Sequence, residues 1–191
     1  MKQYFKLMCF AFTLLFFCGN VSASQGCSTL NKCSTPMMQY DDGTLSLDDI
    51  ATLPENTVFL GGSLTNKANR RIPVLLLSRN GGHNWEQCAF GFEGSGIANI
   101  QTYGIANVWA IISFQQEGAH NPEYLLRSVD AGKTWCVVSL TFIDIKDPLI
   151  RLKDLIFYDD LHGMMFISGS LGSSGAYYTK DGGISWNRLW K

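Results

Sequence analysis

The chain has 191 residues, room for one domain. It is 46% apolar, 13% aromatic and 16% charged. That excludes a disordered chain, which carries high charge and few aromatics. Its net charge of −1 supplies no general attraction to nucleic acid or anionic lipid, so neither is an expected partner.

Lys2 and Lys6 precede the apolar run Leu7 to Cys18, followed by Gly19, Asn20 and the small-residue stretch Val21-Ser22-Ala23. This order of charge, apolar run and small residues is that of a secretory signal peptide over residues 1–23, cleaved near Ala23. The apolar run falls short of the roughly 20 residues a membrane-spanning helix needs. A lipid anchor at Cys18 is disfavoured by bulky Phe17 just before it. The expected location is the periplasm or the outside of the cell, with no integral membrane segment after cleavage.

Export changes how the cysteines read. Cys27, Cys33, Cys88 and Cys136 remain in the mature chain, an even number in an oxidising compartment, and disulfides are expected. Three connectivities are open. Cys88 lies three residues after Trp85 and Cys136 one after Trp135, which places both thiols on the strand face opposite the tryptophan. That leans against a Cys88–Cys136 bond. The segment 24–44 would then be stapled to the body through Cys27 and Cys33.

From residue 45 to 191 the text is a repeat. Ser78, Asn80, Gly82 and Trp85 recur as Ser128, Asp130, Gly132 and Trp135, and again as Thr179, Asp181, Gly183 and Trp186. Each copy reads as a tight turn. The Asp or Asn oxygen accepts a backbone N–H two residues on, the glycine supplies a positive φ, and the Trp buries a large ring as the next strand begins. These roles are structural, because they recur at equivalent places. Ala131 stands where the other copies have their first glycine, which the turn tolerates if only Gly132 takes a positive φ.

Between the turns, aromatic and β-branched runs punctuated by Gly, Asn, Asp and Pro read as strands. Residues 45–53, 58–63, 71–78 and 85–90 make a first unit of four. Residues 97–103, 108–114, 123–128 and 135–142 make a second, and 152–158, 164–168, 176–179 and 186–190 a third. The runs at 71–78, 108–114 and 164–168 are apolar enough for strands buried on both faces.

The recurring box resembles the Asp-box, or BNR repeat, of sialidases, sortilin-type ectodomains and photosystem II assembly factors. The resemblance implies an all-β, β-propeller-like fold with about three four-stranded blades (roughly 45–92, 97–142 and 152–190), an incomplete or small propeller. Propellers typically close with four to eight blades. Three outcomes therefore stay open: the N-terminal segment adds a partial blade, two chains associate as a homodimer, or three sheets stack without closing.

Function is expected at the end of the blades opposite the boxes, where the loops 64–70, 115–122 and 169–175 lie with the blade links 91–96 and 143–151. Lys67, Arg70, Arg71, Glu117 and His120 are the candidate partner-binding residues there. The histidines show no metal-ligand spacing, no nucleophile elbow or phosphate loop is present, and no cofactor is expected. The mature chain's six arginines on half a propeller cannot present a sialidase's substrate cluster. The chain therefore reads as a non-catalytic exported module that binds a protein partner. An immunity or inhibitor protein against a toxin or envelope enzyme is the main form of that reading. An assembly factor for a membrane complex, or a glycan-binding module, is the alternative.

Overall fold

The structure is a computed structural model, and it describes residues 28–30, 33–34, 43–88, 90–114, 123–138, 151–169 and 174–190. The expected signal peptide over 1–23, Cys27, Glu117 and His120 lie outside the described residues. Every described element is a strand, and no described helix is long and apolar enough to cross a membrane.

The first blade is built from β3 (Thr44–Leu53), β4 (Thr57–Thr65), β5 (Arg71–Ser78) and β6 (Glu86–Cys88). The second is β7 (Ser95–Tyr103), β8 (Asn107–Phe114), β9 (Glu123–Ser128) and β10 (Trp135–Val138). The third is β11 (Arg151–Phe157), β12 (Gly163–Ser168), β13 (Gly175–Thr179) and β14 (Asn187–Arg188). Each is an antiparallel meander, and the three sheets stack as an open arc rather than a closed ring. The fold is that of an incomplete β-propeller.

The N-terminal segment adds no blade among the described residues. Its two short strands instead lengthen existing ones: β1 (Ser28–Leu30) pairs with β10 at the outer edge of the second blade. Strand β2 (Cys33–Ser34) pairs with β6 at the outer edge of the first. Cys33 lies directly opposite Cys88 and is disulfide-bonded to it. Cys136 is also disulfide-bonded. The expectation against a Cys88–Cys136 bond agrees with this pairing. Its facing argument holds for the first blade, since Cys88 packs in the core between blades one and two while Trp85 packs on the opposite side of its sheet.

Strand alternation dictates that core. Phe59, Leu75 and Leu77 of the first blade meet Ile97, Ile100, Ala110, Leu126 and Trp135 of the second. Trp109, Ile111 and Leu125 on the other face of the second blade meet Leu155, Phe157, Met165 and Ile167 of the third. The central blade is therefore apolar on both faces, and β8 is a near-continuous buried run. Strand β12 departs from the expectation: Phe166 is 43% exposed. Residues 164–168 are buried on one face only, because no fourth blade among the described residues covers the other. Trp190, expected within a strand, lies beyond β14 and is exposed.

The boxes join the third and fourth strands of each blade. Asn80, Asp130 and Asp181 do accept backbone N–H bonds, but from the residue four positions on rather than two. The donors are the N–H groups of Asn84, Thr134 and Ser185, each at 2.9 Å. The shorter reach is taken by the hydroxyl: Ser78, Ser128 and Thr179 each donate to the Asx oxygen and accept from the N–H of Gly82, Gly132 and Gly183. Trp135 and Trp186 close the turn by donating their indole N–H to the carbonyls of Gly132 and Gly183.

Both glycine positions of the box take positive φ, so Ala131 sits at +55° beside Gly132 at +79°. The expectation that Gly132 alone adopts the left-handed region is corrected here. The turn needs two consecutive left-handed residues, as Gly81 and Gly82 at +68° and +91° also show. An L-residue there is disfavoured by roughly 1–2 kcal/mol. Ala131→Gly is accordingly expected to raise stability by about 1 kcal/mol in urea melts, with the spectrum of the folded state unchanged.

Candidate functional site

The two ends of the blades differ in what their polar groups do. At the box end they are committed to one another. Gly81, Ala131 and Gly182 donate their N–H to the carbonyls of Asn56, Ala106 and Leu161 in the first hairpin of the same blade. Burial works against ionising Asp130 and Asp181. The hydrogen bonds from Thr134 and Ser128, and from Ser185 and Thr179, outweigh it and hold both carboxyls below their usual range.

The second and third boxes also clamp their blades onto the one before. Gly132 lies so close to Phe59 that a Cβ there would come within 2.6 Å of the ring. Gly182 accepts the indole N–H of Trp109 at 3.0 Å, and Trp109 stacks on Phe157 at 3.8 Å. Arg127 lies over Trp109 and donates to the Asp160 carbonyl. Its burial lowers its pKa, opposed by Asp160 and Asp181, so it serves as a clamp within the stack.

Of the expected binding residues, Lys67, Arg70 and Arg71 lie at the opposite end. Strand β4 runs on to Thr65, so the first loop is shorter than anticipated and begins at Asn66. Asn66 organises it by accepting the N–H groups of Ala68 and Arg70. Lys67 and Arg70 are exposed on this loop, and Arg70 lies 3.7 Å from Glu93 in the first blade link. Arg71 is more enclosed. It opens β5, faces Asp48 at 3.5 Å and packs its guanidinium over Gly96, where a Cβ would come within 2.8 Å. Lys67, Arg70 and Arg71 thus come together at one corner of the first blade.

A second feature at this end was not anticipated. Each innermost strand carries a bulge at the same place, between Leu47 and Asp49, Ile97 and Asn99, and Leu152 and Asp154. The residue after each bulge is therefore an Asp or Asn. At the first junction, Asp49 bridges blades by accepting the Ile100 N–H at 2.6 Å, while its other oxygen takes its neighbour Ile50. At the second junction Asp154 takes the Leu155 N–H itself, and Glu123 reaches over to accept Leu152 N–H. Asn99 Oδ1 is buried without a hydrogen-bond partner among the described residues. A cleft of about 130 Å³ opens here, lined by Ala98, Asn99, Glu123, Lys153, Asp154 and the apolar Ile111, Leu152 and Leu155. The signal in the sequence was the Asp or Asn at 49, 99 and 154, near the start of each repeat's first strand.

The geometry defines a class, a stack of box-clamped blades with a polar cleft away from the boxes, and the comparisons agree with it. Residues 177–188 match the family model of the BNR/Asp-box repeat. A solved structure of YCF48 bound to a D1 peptide superimposes with a TM-score of 0.52 at 19% identity, covering 82% of this chain and 46% of that one. The chain spans less than half the length of that structure. Comparison with curated protein sequences gives no match. The chain carries a BNR/Asp-box repeat at residues 177–188, and its fold is propeller-like.

Proposed function

We infer that this chain is a non-catalytic, exported binding module that holds an extended segment of a protein partner, in the manner of an assembly factor. The observation that carries the reading is the cleft between the second and third blades. It offers a buried, unpartnered acceptor in Asn99 beside Glu123, Lys153 and Asp154. Buried polar groups call for partners, and an N–H from a bound backbone or an amide side chain would supply one. At about 130 Å³ the cleft suits one side chain or a short stretch of main chain, well below the roughly 300–1,000 Å³ of small-molecule sites. The similar structure is one of YCF48 bound to a peptide, which favours the assembly-factor form over the immunity form.

Lys67 and Arg70 would extend the contact at the same end, as guanidinium and ammonium groups suited to an acidic stretch of the partner. Arg71, engaged with Asp48, would hold that corner in shape. Glu117 and His120 belong to the same proposed face.

Site-specific photo-cross-linking in the native cell tests this. A cross-linker at position 153 or 67 is expected to capture a protein partner that one at position 180, at the box end, does not. Asn99→Ala should then weaken that partner's binding by about 1 kcal/mol without lowering the melting temperature. Capture from position 180 alone would overturn the reading.

A further inference from the structure

The surfaces buried at each internal junction are left bare at the two ends of the arc. Ile50, Ile100 and Leu155 hold the same position in their blades, opposite Leu60, Ala110 and Met165. Ile100 and Leu155 are 3% and 2% exposed against the preceding blade, whereas Ile50 is 62% exposed. Leu47, equivalent to the fully buried Ile97, is likewise exposed. On the other side, Ile111 and Phe166 are equivalent, opposite Leu125 and Ala176. Ile111 is 2% exposed and Phe166 43%, with Ile156 beside it at 52%.

The clamp repeats the pattern. Gly132 docks on Phe59, and Gly183 docks on Leu125 with a Cβ distance of 2.6 Å. Among the described residues, a Cβ on Gly82 would meet only Trp85 of its own blade. The first blade thus presents an unused docking turn. The third presents an unused receptacle, with Met164 and Tyr178 where Phe59 and Leu77, or Trp109 and Arg127, receive a box.

We propose that a second copy of this chain occupies both bare faces, the first blade of each copy docking on the third blade of the other. Two three-bladed arcs related by a two-fold axis give a six-bladed ring, within the usual four to eight. The symmetry makes both junctions identical, so one complementary pair of faces closes the assembly without leaving an edge. Exposed Leu47, Ile50, Ile156 and Phe166 would then lie in a repeat of the contact the chain already makes twice within itself.

Light scattering coupled to size exclusion on the exported, oxidised chain tests this. The expected result is the mass of two chains across the micromolar range. Ile50→Lys and Phe166→Lys, both at exposed sites, should each give the mass of one chain with the circular dichroism of the parent. Ile50→Asp combined with Phe166→Lys should restore the dimer through charge complementarity. A single-chain mass for the parent, growth past two chains, a different protein bound at these faces, or a dimer indifferent to both lysine variants would overturn the proposal.

Discussion

Trp135→Ala is expected to lower the free energy of unfolding by about 3–5 kcal/mol, the range for emptying a large aromatic site in a packed core. Trp135 is fully buried at the junction of the first two blades. Its ring meets Phe59 and Phe90 edge-on at 6.4 and 6.0 Å, and its N–H closes the second box on Gly132. The variant therefore loses the packing between two sheets and one bond of the turn that clamps them. Against a typical total of about 5–15 kcal/mol, that is a large share. Trp85→Ala and Trp186→Ala should cost less, since both rings are only partly buried. Urea titration followed by circular dichroism measures all three. Equal losses for Trp85 and Trp135 would show that the ring's place in the box, rather than the junction, sets the energy.

Replacing Cys33 and Cys88 together by Ser is expected to cost about 2–5 kcal/mol. The bond closes a loop with a sequence separation of 55, for which the chain-entropy treatment gives about 4 kcal/mol. The paired segment is also short: β2 has two residues and little else among the described contacts to hold it against β6. Reduction of the wild-type protein should lower its melting temperature at least as far as the double variant's, since it opens the Cys136 bond too. A double variant that melts with the parent would mean that β2 stays in place without its bond.

Much of the scaffold is legible in the sequence because its signals are local. The hydroxyl, the Asx and the glycine of each box lie within five residues, so Ser128, Asp130 and Gly132 spell out one turn without reference to the rest of the chain. The blade strands follow from apolar runs ending at those turns, and nearly all begin and end within two residues of expectation. Ala131 escaped because an alanine carries no mark of left-handed backbone; only the neighbouring copies, Gly81 and Gly182, did. The cleft is less legible for a different reason. Asn99, Glu123 and Asp154 come from three strands, and their meeting depends on bulges and on the gap between two sheets, neither of which a linear pattern encodes. The outer strands β1 and β2 were hidden because they are short and their partners lie far along the chain.

That last separation has a bearing on the order of events during folding. Each blade is a run of hairpins between neighbours in sequence, so it can form as soon as its own residues are available. Ser28, by contrast, pairs with Val137, and Cys33 with Cys88. Ser28 must wait for the second blade, and Cys33 for the first, before each finds its edge. Closing a loop over that distance costs more chain entropy than closing a hairpin. The expected order is therefore an early stage in which sheets assemble from local contacts and a late one in which the leading segment seals their rims. Thiol oxidation at Cys33–Cys88 belongs to the second stage. It acts on a scaffold already shaped by its boxes, which guards the thiols against mispairing by presenting Cys88 to the neighbour its strand register selects.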